Sequence, residues 1–270
     1  MELRITSVQN PRVKQVVRLR ERRERQKSDR FLIEGYRELL RAVESGWEIE
    51  TLYISPSHFL GKNEQSLIDR LASDKVPIIQ CSEKVFQKLS YRDRPDGLLA
   101  IAPQRHPTLD DVIVPDDVPS LFVIAESIEK PGNLGTILRS SDASGVHAVV
   151  VCDRCTDVHN PNVVRASVGM LFTVPVVEAK GEHTLQWLKK RRVSILAATP
   201  EAELEYTAVD MTGPLAIAVG TEQLGLSSLW MDSADMHVRI PMFGVADSLN
   251  VATATTLLLY EAVRQRRSLL

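Results

Sequence analysis

The sequence predicts an α/β protein with two domains, each built around a largely parallel β-sheet. Short apolar segments alternate with helical segments along most of the chain, and this alternation is typical of parallel βαβ units. A proline-rich, acidic stretch at 106–118 interrupts the alternation, so we predict a linker there between domains at 1–105 and 119–270. A length of 270 residues, with 44% hydrophobic and 25% charged residues, suits two globular domains.

The first domain is predicted to alternate helices and strands after a basic start. Gly46 is a natural stop for one helix, Ser55–Ser57 forms a turn, and Ser82 is a candidate N-cap for another helix. The predicted helices are 11–27, Tyr36–Glu44, Gln65–Ala72 and Ser82–Leu89, and the predicted strands are Arg30–Glu34, Ile49–Ile54, Val76–Gln80 and Leu98–Ala102. The short links between these elements favour parallel pairing.

The predicted strands of the second domain are short, continuous and apolar, as expected when helices cover both faces of a parallel sheet. They are Leu121–Ala125, Ala148–Cys152, Thr173–Val177, Val193–Ala197, Leu215–Val219 and His237–Ile240. The predicted helices are Leu134–Ser144, Asn162–Met170, Thr184–Arg191 and Leu249–Gln265. Asn133 and Ser248 are residue types that cap helix N-termini, and each directly precedes one of these helices.

The net charge of −2 conceals a basic N-terminal region. Residues 1–41 contain 12 Lys and Arg against 6 Asp and Glu, with arginines concentrated in residues 18–27. Arginine suits phosphate, so this stretch is a candidate nucleic-acid surface. The interleaved glutamates are equally typical of a solvated helix with Glu–Arg pairs, and charge alone leaves both interpretations open. The arginines concerned are Arg18, Arg20, Arg22 and Arg23.

Three cysteines, Cys81, Cys152 and Cys155, favour reduced thiols over a disulfide framework. Cys152 and Cys155 form a CxxC pair, but no second pair and no histidines at zinc spacing accompany it. Packing at the end of a strand is therefore favoured over a metal or redox site, and no metal is predicted.

Several common catalytic motifs are absent from the sequence. It lacks the GxxxxGK[ST] phosphate loop, the GxGxxG dinucleotide turn, the HExxH zinc motif and the GxSxG nucleophile elbow. These absences argue against NTPases, Rossmann dehydrogenases, zinc hydrolases and α/β hydrolases. The sequence also lacks a membrane-length apolar run and an apolar secretory signal, so the expected location is the cytoplasm.

Polar residues follow three predicted strands of the second domain, at the sheet edge where ligands bind in open α/β folds. The segments are Glu126–Ser141, Leu215–Ser227 and Ile240–Ala252. Taken singly, Asn133 and Ser248 can be helix caps, and Arg139 and Glu222 can be surface charges. Asn250 has no such simple explanation, because asparagine is a poor helix former inside a helix.

Taken together, the three segments resemble the signature motifs of the SpoU (TrmH) family of RNA ribose 2′-O-methyltransferases, in the SPOUT superfamily. The family patterns are roughly PxNxGxxxR, GxExxGL and IPMxGxxxSLNVxxA. Here they read PGNLGTILR at Pro131–Arg139, GTEQLGL at Gly220–Leu226 and IPMFGVADSLNVATA at Ile240–Ala254. Order and spacing both match over about residues 119–266, and the third motif is the most specific.

The first domain resembles, more loosely, the substrate-binding domain of several family members. The resemblance rests on Phe31–Glu38 and on Leu98–Ile101. Because that domain is similar to small RNA-binding ribosomal proteins, it implies ribosomal RNA rather than transfer RNA as the substrate. It also favours RNA contact as the role of the basic stretch.

The resemblance implies that the second domain carries a deep trefoil knot, which periodicity alone does not predict. It implies S-adenosylmethionine as the cofactor, held mainly by backbone groups at strand ends. A mainly apolar slot with a few hydrogen-bonding groups suits an adenine ring and a sulfonium group. The residues that match the cofactor positions are Thr199, Gly220, Ile240, Met242 and Leu249.

The resemblance further implies methyl transfer to a ribose 2′-hydroxyl, with Arg139 acting on that hydroxyl. Arginine stays protonated in proteins, so stabilisation of negative charge is easier for Arg139 than proton abstraction, although the sequence does not decide between them. Glu222 is expected to pair with Arg139 and fix its orientation. The remaining orienting residues are Asn133, Ser248 and Asn250, and Arg165 and Ser167 match the family as candidate RNA contacts.

Family members act as homodimers with the active site at the interface, so the resemblance implies a homodimer. The apolar run Leu257–Tyr260 suits either a core or an interface, and its pattern alone favours a core. Three alternatives are a transfer-RNA methyltransferase, a non-catalytic RNA-binding protein with this fold, and a nucleotide-binding enzyme on a Rossmann sheet. The complete set of motif residues argues against the second, and the missing GxGxxG argues against the third.

Overall fold

The computed structural model describes residues 3–153 and 155–268. Up to residue 105 the elements are β1 (Leu3–Ile5), α1 (Pro11–Arg18), α2 (Arg22–Ser28), β2 (Arg30–Glu34), α3 (Tyr36–Glu44), β3 (Thr51–Ile54), α4 (Glu64–Ser73), β4 (Ile78–Cys81), α5 (Glu83–Leu89) and β5 (Leu98–Pro103). They continue as β6 (Leu121–Glu126), α6 (Pro131–Ala143), β7 (Ala148–Cys152), α7 (Pro161–Ala166), β8 (Val176–Ala179), α8 (Gly181–Lys190), β9 (Ser194–Ala198), β10 (Leu204–Glu205), β11 (Leu215–Val219), α9 (Ser228–Ser233), β12 (Met236–Arg239) and α10 (Val251–Arg267). Short 3₁₀ turns lie at Pro56–His58, Leu109–Asp111, Met170–Phe172 and Tyr206–Ala208.

The chain divides into two compact units that do not follow its linear order. The first unit contains the described residues up to 105 together with 157–173, and the second contains the remainder. Helix α7 and the turn at Met170–Phe172 therefore pack within the first unit, although they lie in the sequence of the predicted second domain.

The first unit is built on a five-stranded mixed sheet in the order β1-β4-β3-β5-β2. Strand β4 pairs in parallel with β1 and β3, whereas β5 is antiparallel to both β3 and β2. The expected parallel pairing is thus wrong for β5. Strand β4 ends beside the carboxyl end of β3, and after α5 the loop at 90–97 leaves the chain at this same end of the sheet, where Leu98 pairs with Ile54, so β5 runs in the reverse direction.

The predicted helix at 11–27 is two helices, α1 and α2, with a break at residues 19–21. Arg20 explains where the break is fixed: its guanidinium donates to the carbonyl oxygens of Lys88, Leu89 and Ser90 at 2.8, 3.1 and 2.6 Å. These carbonyls close the C-terminal end of α5, which has no other donors for them within the helix. The three-residue strand β1 is too short for its pattern to predict.

Segment 157–173 completes the interior of the first unit. The ring of buried Phe31 lies 4.7 Å from that of His159 and 6.2 Å from that of Phe172, and Phe172 contacts Trp47 at 5.1 Å between centroids. Helix α7 ends at Ala166, earlier than the predicted Asn162–Met170, because Val168 and Gly169 both adopt left-handed φ values, of 53° and 83°.

The second unit contains a seven-stranded parallel sheet in the order β10-β12-β9-β11-β6-β7-β8. Its predicted strands all form, within a few residues of the expected bounds. The largest shift is at β8, predicted to begin at Thr173, whose amide instead donates to Met170 in a 3₁₀ turn at 3.2 Å. The short elements β10 and α9 were not predicted.

The linker predicted at 106–118 packs onto the second unit. Val112 is buried in its core, and Leu109 and Val114 pack against the same cluster beside Trp187 and Trp230. Among the described residues, no helix is long and apolar enough to cross a membrane. The parallel arrangement brings the carboxyl ends of β6, β9, β11 and β12 to one edge, where the three motif segments begin.

Candidate active site

Four polar side chains from three segments meet at the carboxyl edge of the second sheet. The Glu222 carboxylate accepts hydrogen bonds from Asn133 Nδ2 at 3.1 Å and from Asn250 Nδ2 at 2.7 Å. Asn250 Nδ2 also donates to Asn133 Oδ1 at 3.0 Å. The Lys130 ammonium forms an ion pair with the other carboxylate oxygen of Glu222. Asn133, Glu222 and Asn250 are thus brought together.

The helix starts place these residues differently from the predicted capping scheme. Helix α6 begins at Pro131 with Lys130 as its N-cap, so Asn133 is the third helical residue and is not the cap. Helix α10 begins at Val251 and its N-cap is Asn250, whose Oδ1 accepts from the amide of Ala252 at 3.1 Å. The prediction of Ser248 as this cap is therefore wrong. Capping by Asn250 leaves its Nδ2 free to reach Glu222.

Glu222 sits in a tight turn that glycine makes possible. Residues Thr221 and Gly225 form an isolated antiparallel bridge, and Gly225 has a left-handed φ of 67°. A Cβ on Gly220 would lie 2.1 Å from the Gly225 carbonyl oxygen. The turn itself therefore requires Gly220, which is a structural reason distinct from the ligand approach that the sequence suggested.

The surroundings of Glu222 favour its charged form. The hydrogen bond from Lys130 lowers the pKa of the Glu222 carboxyl, and the Asn133 and Asn250 amides lower it further, against the opposing effect of partial burial. The carboxylate is thus ionised at neutral pH and acts as an acceptor for three donors at once.

Arg139 and Ser248 do not join this cluster. Arg139 is exposed on α6 and, within the described parts of the chain, forms neither an ion pair nor a side-chain hydrogen bond. The expected pairing of Glu222 with Arg139 is therefore wrong, because Lys130 occupies that position. Ser248 is exposed and its hydroxyl has no hydrogen-bond partner among these residues.

Lys130 is the residue that sequence reasoning missed. It lies directly before Pro131, which is the first residue of the matched pattern, so the motif does not include it. The available signal was its position one residue before a proline that starts a helix, because this position faces the same edge as the strand ends.

A cavity of about 360 Å³ adjoins Glu222. It lies at the carboxyl ends of β9, β11 and β12 and is lined by the segment that leads into α10. All five residues assigned to the cofactor from the sequence line it: Thr199, Gly220, Ile240, Met242 and Leu249. Ser248 lines it as well.

The arginines predicted to contact RNA have different surroundings in the first unit. Arg18, Arg22, Arg23 and Arg165 are exposed and make no ion pair within the described ranges. Arg20 is only partly exposed, and its guanidinium is engaged with backbone carbonyls. These three bonds from Nη2 give Arg20 a structural role, and its assignment to RNA stays a prediction.

The CxxC thiols are buried in the second unit. Burial raises the pKa of Cys152 to about 12 and that of Cys155 to about 11. The Cys155 sulfur accepts from the Ile128 amide at 3.1 Å and donates to the Ala125 carbonyl at 3.2 Å. Among residues 3–153 and 155–268, no group of three or more His, Cys, Asp or Glu is arranged to hold a metal.

Two family profiles match the chain. The SpoU rRNA Methylase family matches residues 120–260, and the MRM3-like substrate binding domain matches residues 10–100. The first match covers all three motif segments and the cavity, and the second covers most of the first unit.

Full-length relatives agree with these matches. The chain is 34% identical over 253 residues to the 23S rRNA (uridine(2479)-2′-O)-methyltransferase of Streptomyces viridochromogenes, covering 92% of this chain and 87% of that protein. A solved RNA 2′-O ribose methyltransferase is 42% identical, with a TM-score of 0.86 over 98% of this chain and 100% of the other. The AdoMet-bound rRNA methyltransferase from Sinorhizobium meliloti is 30% identical, with a TM-score of 0.88 over 99% and 98%. This chain therefore belongs to the SpoU rRNA methylase family.

Proposed function

We propose that the protein is an S-adenosylmethionine-dependent methyltransferase that modifies a ribose 2′-hydroxyl in ribosomal RNA. The observation that carries this proposal is the cluster of Asn133, Glu222 and Asn250 beside the cavity at the sheet edge. Ribosomal RNA is supported by relatives named 23S rRNA 2′-O-methyltransferases and by the match to a substrate-binding domain.

The cavity suits S-adenosylmethionine. Leu226, Ile240 and Leu249 give it apolar walls, and the exposed carboxylates of Glu201 and Asp247 among its lining residues suit a cationic ligand. When bound, the cofactor supplies a methyl group activated by a sulfonium. Thr199, Gly220, Ile240, Met242 and Leu249 are the residues we assign to holding it. AdoMet-bound structures of two similar proteins support S-adenosylmethionine as the cofactor.

The polar cluster orients the RNA ribose next to the cavity. Ionised Glu222 holds the Asn133 and Asn250 amides in place, so their remaining groups present fixed dipoles at the site. Arg139, whose guanidinium has no partner within residues 3–153 and 155–268, binds the phosphate beside the target ribose and stabilises negative charge on the 2′ oxygen. Ser248 contributes a hydroxyl at the edge of the cavity.

The active protein is a homodimer in this proposal. Helix α10 exposes one stripe containing Leu257, 38% exposed, and Tyr260, 49% exposed, while Leu258 and Leu259 are fully buried. Two residues of the run predicted as core are therefore buried and two are exposed. The exposed side chains of Leu257 and Tyr260 are available to contact a second copy of the chain. Sedimentation equilibrium measures this directly, and a monomer at micromolar concentration would contradict it.

We favour cytoplasmic ribosomal RNA over transfer RNA as the substrate. Transfer RNA is the alternative because two of the relatives are named tRNA/rRNA methyltransferases. Methyl transfer from tritiated S-adenosylmethionine to 23S rRNA, compared with bulk transfer RNA, separates the two. Mapping of 2′-O-methyl sites with and without the protein then identifies the nucleotide. Absence of transfer to either RNA would refute the proposed function.

Replacement of Arg139 tests its role. We expect Arg139→Ala to abolish methyl transfer while calorimetry shows unchanged S-adenosylmethionine binding, because Arg139 does not line the cavity. Arg267→Ala is the matched control, since Arg267 is also exposed and lacks a partner in the described chain. Full activity of Arg139→Ala would remove this arginine from the reaction.

A further inference from the structure

The first unit contains a cavity of about 850 Å³ that the active site does not use. It is formed by the start of α3, the residues before α4, the loop at 90–97, and α7. Its size is within the range of pockets that bind nucleotide-sized ligands. Segments far apart in sequence therefore converge on one concave surface.

Buried and half-buried charged side chains hold together the segments that form this cavity. Arg92 passes over Gly35, where a Cβ would lie 2.4 Å from its guanidinium, and donates to Glu38 at 2.6 Å. Glu34 accepts from the Tyr91 amide at 2.8 Å, and Asp96 accepts from the Tyr36 amide at 2.9 Å. These bonds fix the loop at 90–97 against the start of α3.

Most acidic side chains that line the cavity already have hydrogen-bond or ion-pair partners within the protein. Glu38 and Asp96 pair with Arg92, and Glu64 accepts from the Leu60 and Gly61 amides at 3.2 and 2.9 Å. Three buried polar atoms still lack partners within the described residues: Glu64 Oε2, Arg92 Nε and Asp96 Oδ1. Unmet buried polar atoms are uncommon in folded proteins and indicate a surface completed by water or a ligand.

The other three basic side chains of the described lining, unlike Arg92, are exposed to solvent. Arg37, Arg94 and Arg165 line the cavity and are exposed, and none has an ion-pair or hydrogen-bond partner within the described residues. Among the described residues that line the cavity, Asp93 carries the one exposed carboxylate. The mouth of the cavity is thus positive, because its guanidinium groups outnumber its free carboxylates.

Helix α7 contributes to this mouth through a close contact. A Cβ on Gly169 would lie 3.0 Å from Arg41 Cβ and 3.1 Å from Glu38 Cα, so the end of α7 approaches α3 as only glycine allows. This approach places Arg165 beside the same cavity as Arg37, although 128 residues separate them in the chain.

We propose that Arg37, Arg94 and Arg165 form a phosphate-binding pocket that holds the sugar–phosphate backbone of the RNA substrate. Each guanidinium offers paired N–H donors that match phosphate oxygens, and no carboxylate of the described residues is paired with them. The inference rests on the proposed function, since it assigns a contact surface for the same RNA. It moves RNA recognition from Arg20, which is engaged internally, to the cavity mouth.

The test measures binding of the full chain to 23S rRNA as a function of potassium chloride. The variants are Arg37→Gln, Arg94→Gln, Arg165→Gln and the triple substitution, with Arg70→Gln as control, because Arg70 is exposed on α4 and does not line the cavity. Each lost phosphate contact is expected to lower the slope of log K against log salt by about 0.7 to 0.9. The triple variant is expected to lose a slope of about 2 and to bind at least 10-fold more weakly at physiological salt.

Unchanged affinity and slope in the triple variant would overturn the proposal, as would an equal loss in Arg70→Gln. Calorimetry with inorganic phosphate distinguishes a small-anion site: phosphate bound by the parent and not by the triple variant, with equal RNA binding, would also overturn it. S-adenosylmethionine affinity checks folding of every variant. Methyl transfer by the parent is measured on the same RNA, so its absence refutes the proposed function alone.

Discussion

At the residue scale, the candidate active site depends on one carboxylate. Glu222 gathers donors from the N-cap of α6, from its first turn and from the N-cap of α10. Each donor offsets the cost of holding a charge at the sheet edge, and together they lower the pKa of the carboxyl. The Asn133 side chain is thereby held at the site, and Glu222 is a second anchor for the Asn250 side chain, which also caps α10.

Substitution of Glu222 is expected to reduce methyl transfer without removing the fold. Glu222→Ala removes the acceptor of all three donors, so we expect kcat/KM to fall about 10- to 100-fold, the range for losing a charged hydrogen bond. Glu222→Gln keeps one acceptor oxygen and should lose less. Single-turnover transfer to 23S rRNA measures the effect, and equal activity of all three proteins would show that the carboxylate does not orient the site.

The sequence motifs identified Asn133, Glu222 and Asn250 but not how they pair. Arg139 was the expected partner of Glu222, yet it lies nine residues after Lys130, about 13 Å further along α6 at 1.5 Å per residue. Glu222 lies beside the start of α6, where Lys130 and Asn133 contact it. A motif records which residues recur, whereas the helix start decides which of them meets the turn, and that start lay three residues earlier than predicted.

At the scale of elements, the start of α10 serves both stability and the site. Asn250 caps the helix through Oδ1 and reaches Glu222 through Nδ2, so one side chain couples the helix terminus to the polar cluster. The sequence predicted the helix from its long apolar pattern but placed the cap at Ser248. Serine and asparagine cap equally well, so composition alone does not choose between neighbouring candidates.

Two substitutions at Asn250 separate these roles. Asn250→Ser retains a capping oxygen but loses the amide donor, so stability should stay near that of the parent while methyl transfer falls. Asn250→Ala loses both, with an expected stability cost of about 1 kcal/mol in addition. Urea unfolding and methyl transfer, measured on the same preparations, report each role. Parent-like activity of Asn250→Ser would show that the amide is dispensable.

At the scale of the whole molecule, periodicity predicted the α/β class and most strands, but not how the segments are distributed. Hydrophobic pattern records that a segment is buried and not what buries it, so 157–173 was assigned by its position in the chain. The predicted direction of β5 is wrong for a similar reason: the apolar pattern does not indicate at which end of the sheet a strand begins. The trefoil knot follows from the fold shared with the family.

The buried pair of Arg25 and Asp157 offers a test of this arrangement. Arg25 is 1% exposed and donates to Asp157 through Nε at 2.9 Å and also through Nη2, whereas its Nη1 donates to the Leu19 and Arg20 carbonyls. Asp157→Ala leaves the guanidinium buried without its counter-charge, so we expect the first unit to lose about 3–5 kcal/mol of stability. Asp157→Asn, which keeps an acceptor, should lose less.

Hydrogen exchange of the β2 amides measures this loss within the first unit, and urea unfolding reports it for the whole chain. Asp74→Ala is the matched control, because Asp74 is exposed at the end of α4 and has no side-chain partner in the described residues. A fragment ending at residue 105 should show the same weakness more strongly, since it lacks Asp157, His159 and Phe172. A stable fragment with native protection of the β2 amides would show that the first unit does not need segment 157–173 for its stability.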